Sequence, residues 1–219
     1  MQQNYLSMKK ILSLLLVCIL AACQRPIFKE SWLKETAPEK FSARFETSRG
    51  NFEADFVREW SPLAVDRLYS QIKHHAYDHT LFYRVRPNYV AQFGMDDSLK
   101  TNQWDKNKIP DEPVLQPNER GTISFARSGK DSRGSQVYIN LKNNSPRLDT
   151  LFANGVKGYP VIGKLNSGME VVDSLYNGYG DSVFSKYETL MHNKPVFLQS
   201  YPRLDSILKV VLIRKRGKQ

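Results

Sequence analysis

Three histidines that could ligate a metal ion lie close together in the sequence, at His74, His75 and His79. Imidazoles four residues apart can share one face of a helix and ligate a metal ion. His79, however, belongs to an Asp78-His79-Thr80 turn beyond a predicted helix, and no pattern of acidic ligands accompanies it. We therefore interpret all three as surface histidines and predict neither a metal site nor a bound cofactor.

A glycine-bearing loop over residues 127–135 is the second candidate for chemistry. A phosphate-binding loop would need the G-K-[ST] signature followed by a helix, and residues 129–135 have neither. Ser135 would need histidine and aspartate partners to act as a nucleophile, and no motif in the sequence supplies them. The sequence therefore favours neither phosphate binding nor serine hydrolysis.

The two cysteines both lie near the N-terminus, at Cys18 and Cys23. A basic start at Lys9 and Lys10 precedes the apolar residues 11–22, a run shorter than the roughly 20 residues that a membrane span needs. Such a pattern is typical of a secretory signal, and Met8 is the expected start. The run ends in Leu-Ala-Ala-Cys, which resembles the bacterial lipobox. We expect cleavage before Cys23 and attachment of a lipid to it; a plain secreted protein is the alternative.

Cleavage at this site would remove Cys18, so the mature chain would contain no disulfide and no free thiol. This excludes a disulfide scaffold, a zinc–thiolate site and a cysteine nucleophile. The expected organisation is a signal peptide at 1–22, a lipid-anchored tether at 23–40, one domain at 41–213 and a basic tail at 214–219. The predicted location is the bacterial cell envelope, with the domain in the periplasm or on the exterior.

The 219 residues carry a net charge of +10, with 41% hydrophobic and 25% charged residues, which is typical of a globular protein rather than a fibrous or disordered one. Basic residues are scattered among acidic ones along the chain, and only the tail forms a basic run. We therefore expect no nucleic-acid partner. We expect the positive charge to favour attraction to anionic lipids or envelope polymers. We also expect a monomer.

Alternation of apolar and polar residues predicts that strands form most of the domain. Two helices are expected, one beginning at Ser61-Pro62 and ending near His75, the other over 168–176. Residues 95–119 and the connection after the second helix show few patterns that predict secondary structure. Many short strands with two isolated helices favour a barrel whose ends the helices cover. The strands are predicted at 41–47, 52–57, 81–86, 89–93, 121–126, 136–141, 159–165 and 207–213.

A series of short motifs follows the chain in a fixed order: LFYRV at 81–85, YVAQFG at 89–94, GTISFA at 121–126, GSQVYI at 134–139, VIGK at 161–164 and GMEVVD at 168–173. In order and spacing they resemble those of the cyclophilin-type peptidyl-prolyl isomerases. The segments IPDEPV at 109–114, NSPRLD at 144–149, GYG at 178–180 and YPRLDSI at 201–207 are similar to those of some bacterial members. The resemblance implies a mainly β fold, an eight-stranded antiparallel barrel capped by two helices.

The resemblance also implies a site. Arg84 would be catalytic, directing its fixed charge at the prolyl nitrogen, which becomes basic as the amide twists; alternatively, it is a strand arginine in a surface ion pair. Gln92 would bind a substrate carbonyl and orient Arg84. The other implied substrate-binding residues are Tyr89, Val90, Tyr138 and Leu148 around the proline, Ala126 and the Arg127 backbone beside the preceding residue, Gln136 at the floor, and Tyr159 in place of a family histidine.

Some positions depart from the family pattern. Tyr89 and Tyr138 stand where phenylalanine is usual, and Arg147 replaces a common tryptophan, so we expect weak cyclosporin binding. Three functions remain open. The chain is an isomerase that acts on proline-containing polypeptides in the envelope, a module that binds such segments with little turnover, or an electrostatic binder of envelope polymers, which would need basic residues clustered in three dimensions. Retention of Arg84 and Gln92 favours the enzyme, and the altered pocket favours the binding module.

Overall fold

Antiparallel strands form most of the fold in the computed structural model, which describes residues 26–213. In chain order the strands are β1 (Lys40–Thr47), β2 (Gly50–Val57), β3 (Thr80–Leu81), β4 (Arg84–Arg86), β5 (Val90–Gly94), β6 (Thr122–Phe125), β7 (Gln136–Asn140), β8 (Phe152–Ala153), β9 (Val156–Lys157), β10 (Val161–Ser167) and β11 (Ser206–Ile213). The α-helices are α1 (Pro62–Lys73), α2 (Ser98–Asp105), α3 (Arg147–Thr150), α4 (Met169–Asp173), α5 (Tyr187–His192) and α6 (Lys194–Ser200). Short 3-10 helices cover Glu30–Lys34, Arg58–Trp60 and Ser182–Lys186.

Within residues 26–213 the main sheet contains nine strands in the order β3-β11-β1-β2-β10-β6-β7-β5-β4, and β8 pairs only with β9. The edge strands β3 and β4 are consecutive in the chain, with only Phe82 and Tyr83 between them. β3 pairs with β11, whereas β4 pairs with β5. The two edges therefore come close together, and the sheet curls into a barrel-like shape. The predicted mainly β antiparallel fold is confirmed, but the main sheet has nine strands rather than eight, because the segment 80–86 is interrupted.

Aromatic side chains fill the inside of the barrel. Phe45 and Phe52 face each other across the β1–β2 hairpin and stack with their ring centroids 4.6 Å apart. Phe93 from β5 meets Phe45 edge to face at 5.8 Å and Phe82 at 5.3 Å. These rings are at most 1% exposed. This aromatic interior is the core that supports the strands of the barrel.

The first predicted helix is confirmed as α1, which packs Val65, Leu68 and Ile72 against the barrel at helical spacing. Ser61 occupies the predicted N-cap position, but its side chain makes no capping bond. Instead, Glu112 caps the helix: its carboxylate accepts from the Leu63 N–H at 2.7 Å and from the Ser61 hydroxyl. A carboxylate suits this helix end because the free N–H groups there carry partial positive charge.

Several helices lie where the sequence analysis expected none. α2 falls within the polar segment 95–119, and α5 and α6 fall in the connection before β11. The second predicted helix is shorter than expected, since α4 ends at Asp173. A second hydrophobic cluster explains how α5 and α6 attach to the barrel: Leu190 and Phe197 pack with the barrel residues Leu81 and Tyr83.

The segment 28–37, which belongs to the predicted tether, packs on the domain. Trp32 is 9% exposed and stacks on His74 at a centroid distance of 3.8 Å, and Phe28 meets Trp104 edge to face at 5.2 Å. No helix within residues 26–213 has both the length and the apolar character needed to cross a bilayer. The predicted signal peptide, the lipidation site Cys23 and the basic tail lie outside the described residues.

Candidate active site

Two neighbouring strands position the two polar residues that the sequence analysis put at the centre of the site. Arg84 on β4 and Gln92 on β5 are direct partners in the strand register. The Arg84 Nη1 donates to Gln92 Oε1 at 3.0 Å. Gln92 is 8% exposed, and the Arg84 side chain is 17% exposed. The predicted orienting role of Gln92 is thus compatible with the geometry.

Asp181 also holds Arg84, and the sequence analysis did not identify it. The Arg84 Nε donates to Asp181 Oδ1 at 2.6 Å, and the other carboxylate oxygen lies 3.0 Å from Arg86 Nη1. A guanidinium has five N–H donors in one plane. With Nε and Nη1 engaged, Nη2 of Arg84 has no hydrogen-bond partner among residues 26–213. The ion pair that we considered as an alternative therefore exists, but it leaves one nitrogen of the guanidinium free.

An apolar pocket lies beside the guanidinium because successive residues of a strand face opposite sides. On β5, Ala91 and Phe93 face the barrel core, whereas Val90 faces outward with Gln92. On β7, Tyr138 faces the same outward side. These outward residues form a separate hydrophobic cluster, whose members are Val90, Tyr138 and Leu148 with Tyr89, Ala126 and Tyr159 packed around them. All six were predicted to bind substrate, and the structure brings them together.

A buried polar group accommodates the extra hydroxyl of Tyr138. This hydroxyl donates to Asn118 Oδ1 at 3.1 Å, and burial raises the pKa of Tyr138 well above its usual value. The Asn118 amide in turn donates to Asp149 Oδ1 at 2.8 Å and to the Tyr159 carbonyl at 2.9 Å. Burial raises the pKa of Asp149, but hydrogen bonds from Ser145 and Asn118 outweigh it and leave that pKa lowered. The tyrosine ring is therefore held as a neutral wall of the pocket.

The ten predicted site residues all line one cavity of ≈ 460 Å³. Within residues 26–213 the Arg127 backbone N–H and carbonyl have no hydrogen-bond partner. The Arg127 guanidinium is engaged by three carbonyls, those of Ala153, Val156 and Gly158. The sequence analysis missed several further lining residues: Tyr83, Asp105, Lys108, Ser128, Ser132, Gly134, Ser135, Phe184 and Tyr187.

Gln136, which the sequence analysis expected at the floor of the site, lines the cavity. Its Nε2 donates to the Met95 carbonyl at 3.0 Å and to Ser135 Oγ at 3.2 Å. Its Oε1 is buried without a hydrogen-bond partner in the described part of the chain. Gly94 allows this packing, because a Cβ there would lie 2.1 Å from that oxygen.

Two of the three histidines and the 127–135 loop have structural partners. His74 bonds Glu35 at 3.0 Å, and His75 bonds Asp78 at 2.9 Å. No group of three metal-ligating side chains occurs within residues 26–213. In the 127–135 loop, the Ser132 hydroxyl accepts from the Gly129 N–H at 2.8 Å and so closes the turn. These contacts account for His74, His75 and the turn of the loop.

Three comparisons relate the chain to known proteins. The family described as cyclophilin type peptidyl-prolyl cis-trans isomerase/CLD matches residues 42–194. The chain is 33% identical to peptidyl-prolyl cis-trans isomerase A of Dickeya dadantii over 70% of this chain and 80% of that one. It is 34% identical to a peptidyl-prolyl cis-trans isomerase of Acinetobacter baylyi over 60% and 69% of the two chains. A crystal structure of a Cryptosporidium parvum cyclophilin type isomerase superposes with a TM-score of 0.56 at 18% identity, covering 81% and 99%.

Proposed function

The chain belongs to the family of cyclophilin-type peptidyl-prolyl cis-trans isomerases, and we propose that Arg84 stabilises the twisted X-Pro amide in the apolar pocket. Amide resonance opposes rotation with a barrier of about 18–20 kcal/mol. Twisting makes the prolyl nitrogen pyramidal and basic, so a positive charge beside it stabilises the transition state more than the planar ground state. The reaction requires neither a nucleophile nor a cofactor.

The observation that supports this proposal is that two hydrogen bonds fix the orientation of the Arg84 guanidinium. Gln92 and Asp181 occupy Nη1 and Nε, at 3.0 Å and 2.6 Å, while Nη2 is free. Because the guanidinium is planar, the two bonded nitrogens define where the third one lies. The apolar residues of the pocket would hold the proline ring beside Nη2. The free backbone groups of Arg127 would bind the residue before the proline.

The test of this activity is cis–trans exchange of short X-Pro peptides, measured by NMR with a chain that begins at Gln24. We expect the protein to accelerate an exchange that takes tens of seconds without a catalyst. Chemical-shift titration of the same peptides measures binding independently. Binding without acceleration would contradict catalysis and would favour the alternative, a module that holds proline-containing segments.

We also propose that the enzyme is anchored by a lipid on Cys23 and acts on proteins of the bacterial cell envelope. The support is the sequence alone: a basic start, a short apolar run and Leu-Ala-Ala before the cysteine. A lipid at this position would place the enzyme beside newly exported chains, in which prolyl isomerisation limits folding.

The variant Cys23→Ser tests the anchor in bacteria that express the chain from Met8. We expect labelled palmitate to enter the wild-type protein, which should fractionate with membranes, and to be absent from Cys23→Ser. Cys18→Ser is the matched control, because it removes a thiol within the signal and should leave labelling unchanged. Equal labelling of wild type and Cys23→Ser would contradict the proposal.

A further inference from the structure

Three arginines surround one wall of the proline pocket. Their guanidinium carbons lie 5.8 Å (Arg84), 5.3 Å (Arg86) and 5.4 Å (Arg147) from the centroid of the Tyr89 ring. Cations at this distance from an aromatic face are attracted to it. Three positive charges are therefore concentrated around the Tyr89 ring, at the edge of the pocket.

This charge is only partly balanced. The Asp181 carboxylate contacts both Arg84 and Arg86, at 2.6 Å and 3.0 Å. Arg147 is exposed, and among residues 26–213 no carboxylate pairs with it. One carboxylate against three guanidiniums leaves an excess of two positive charges around Tyr89. An anionic group that enters beside Tyr89 would find Arg147 unpaired and Arg86 half-exposed.

The rest of the cavity offers an anion no comparable place. Lys108 is paired with Asp105 at 2.6 Å, so that pair is neutral. The Arg127 guanidinium is engaged by the backbone carbonyls and lies 4.5 Å from the centroid of the Tyr159 ring. The unbalanced charge is therefore confined to the surroundings of Tyr89.

We propose that this isomerase prefers clients that carry an aspartate or glutamate directly after the proline. The inference rests on the proposed function, in which the Arg127 backbone holds the residue before the proline. The chain that leaves the proline would then pass over Tyr89, and its first side chain would lie within reach of Arg86 and Arg147. Ion pairs that remain in contact with water are weak and are screened by salt. The expected preference is therefore about threefold to tenfold in kcat/KM at low ionic strength.

The experiment compares NMR exchange for peptides Ala-Ala-Pro-Xaa-Ala with Glu, Gln or Lys at Xaa, and for Ala-Glu-Pro-Ala-Ala. We expect kcat/KM to fall in the order Glu, Gln, Lys after the proline, and the differences to shrink when the salt concentration rises. Glutamate before the proline should give no gain. A flat series, or a gain only when glutamate precedes the proline, would overturn the proposal.

Variants locate the source of the preference. We expect the ratio of the Glu to the Lys peptide to approach one in the double variant Arg86→Gln/Arg147→Gln. The double variant Arg44→Gln/Lys164→Gln is the matched control: it also removes two exposed positive charges, which pair with Glu53 at 2.9 Å and with Glu119 at 3.1 Å outside the cavity, and it should keep the wild-type ratio. An unchanged ratio in Arg86→Gln/Arg147→Gln would overturn the assignment to these arginines.

The same peptides separate this inference from the proposed activity. Equal acceleration of all peptides would refute the preference and leave the isomerase activity established. Tighter binding of the Glu peptide without any acceleration would refute catalysis and leave the acidic preference standing, since chemical-shift titration measures affinity directly.

Discussion

Replacing Arg84 with alanine is expected to lower kcat/KM for X-Pro exchange at least about tenfold, which corresponds to roughly 1.4 kcal/mol of transition-state stabilisation. The variant removes the charge beside the prolyl nitrogen but leaves the pocket formed by Val90, Tyr138 and Leu148 in place. Peptide affinity should therefore change less than the rate. NMR exchange and chemical-shift titration measure the two quantities on the same sample.

Two further variants make this prediction specific. Arg84→Lys keeps a charge but loses the planar fork that Gln92 and Asp181 hold, so it should recover only part of the rate. Arg44→Ala is the matched control, because Arg44 is also a strand arginine in an ion pair, with Glu53 at 2.9 Å, but lies outside the cavity. A rate for Arg84→Ala equal to that of Arg44→Ala would refute the assigned mechanism.

The strands of the barrel could be predicted because each buries one face in the core and turns the other away from it, so that apolar and polar residues alternate along the sequence. Alternation in β1 and β2 located both strands to within about two residues. The segment 80–86 gave one continuous signal, yet it is interrupted at Phe82, because its two ends pair with different strands. The interruption between β3 and β4 depends on how the two edges of the sheet come together, and the local pattern of apolar and polar residues carries no information about that.

The short helices α5 and α6 could not be predicted from periodicity. Each spans fewer than two full turns, and each buries a single side chain, Leu190 in α5 and Phe197 in α6. One signal was present: Asn193 precedes Pro195, and the Asn193 side chain accepts from the Val196 N–H at 3.3 Å, as an N-cap does. Read on its own, that pair would have located the start of α6.

Most of the predicted site residues belong to family motifs. Arg84, Gln92 and the pocket residues other than Tyr159 lie in such motifs, and the structure brings them together around one cavity. Tyr83, Gly134 and Ser135 also lie in motifs and line the cavity, but the motifs alone did not mark them as site residues. Asp181 is 97 residues from Arg84 and has no motif of its own beyond the neighbouring Gly-Tyr-Gly. Only the packing of residues 177–205 against the barrel brings its carboxylate to the guanidinium. Tertiary contacts of this kind are what a single sequence leaves undetermined.

The largest expected loss of stability comes from Glu112, which lies in the Ile-Pro-Asp-Glu-Pro-Val segment. Its carboxylate pairs with Arg133 at 3.0 Å, and the two side chains are 8% and 1% exposed. It also caps α1 through the Leu63 N–H. Removing one partner of a buried pair leaves an uncompensated charge, which costs about 3–5 kcal/mol. Glu112→Ala should therefore lose much of a stability that is typically about 5–15 kcal/mol, measured as a lower urea midpoint.

Glu119→Ala is the control for this prediction. Glu119 pairs with Lys164 at 3.1 Å, but both side chains are about half exposed, at 51% and 48%. Exposed pairs contribute about 0–1 kcal/mol, because water screens them, so the urea midpoint should hardly move. Similar losses in the two variants would show that the buried pair is not a major source of stability. A large loss in Glu112→Ala alone would show that this segment, outside the cavity of the candidate site, holds α1 and the 127–135 loop together.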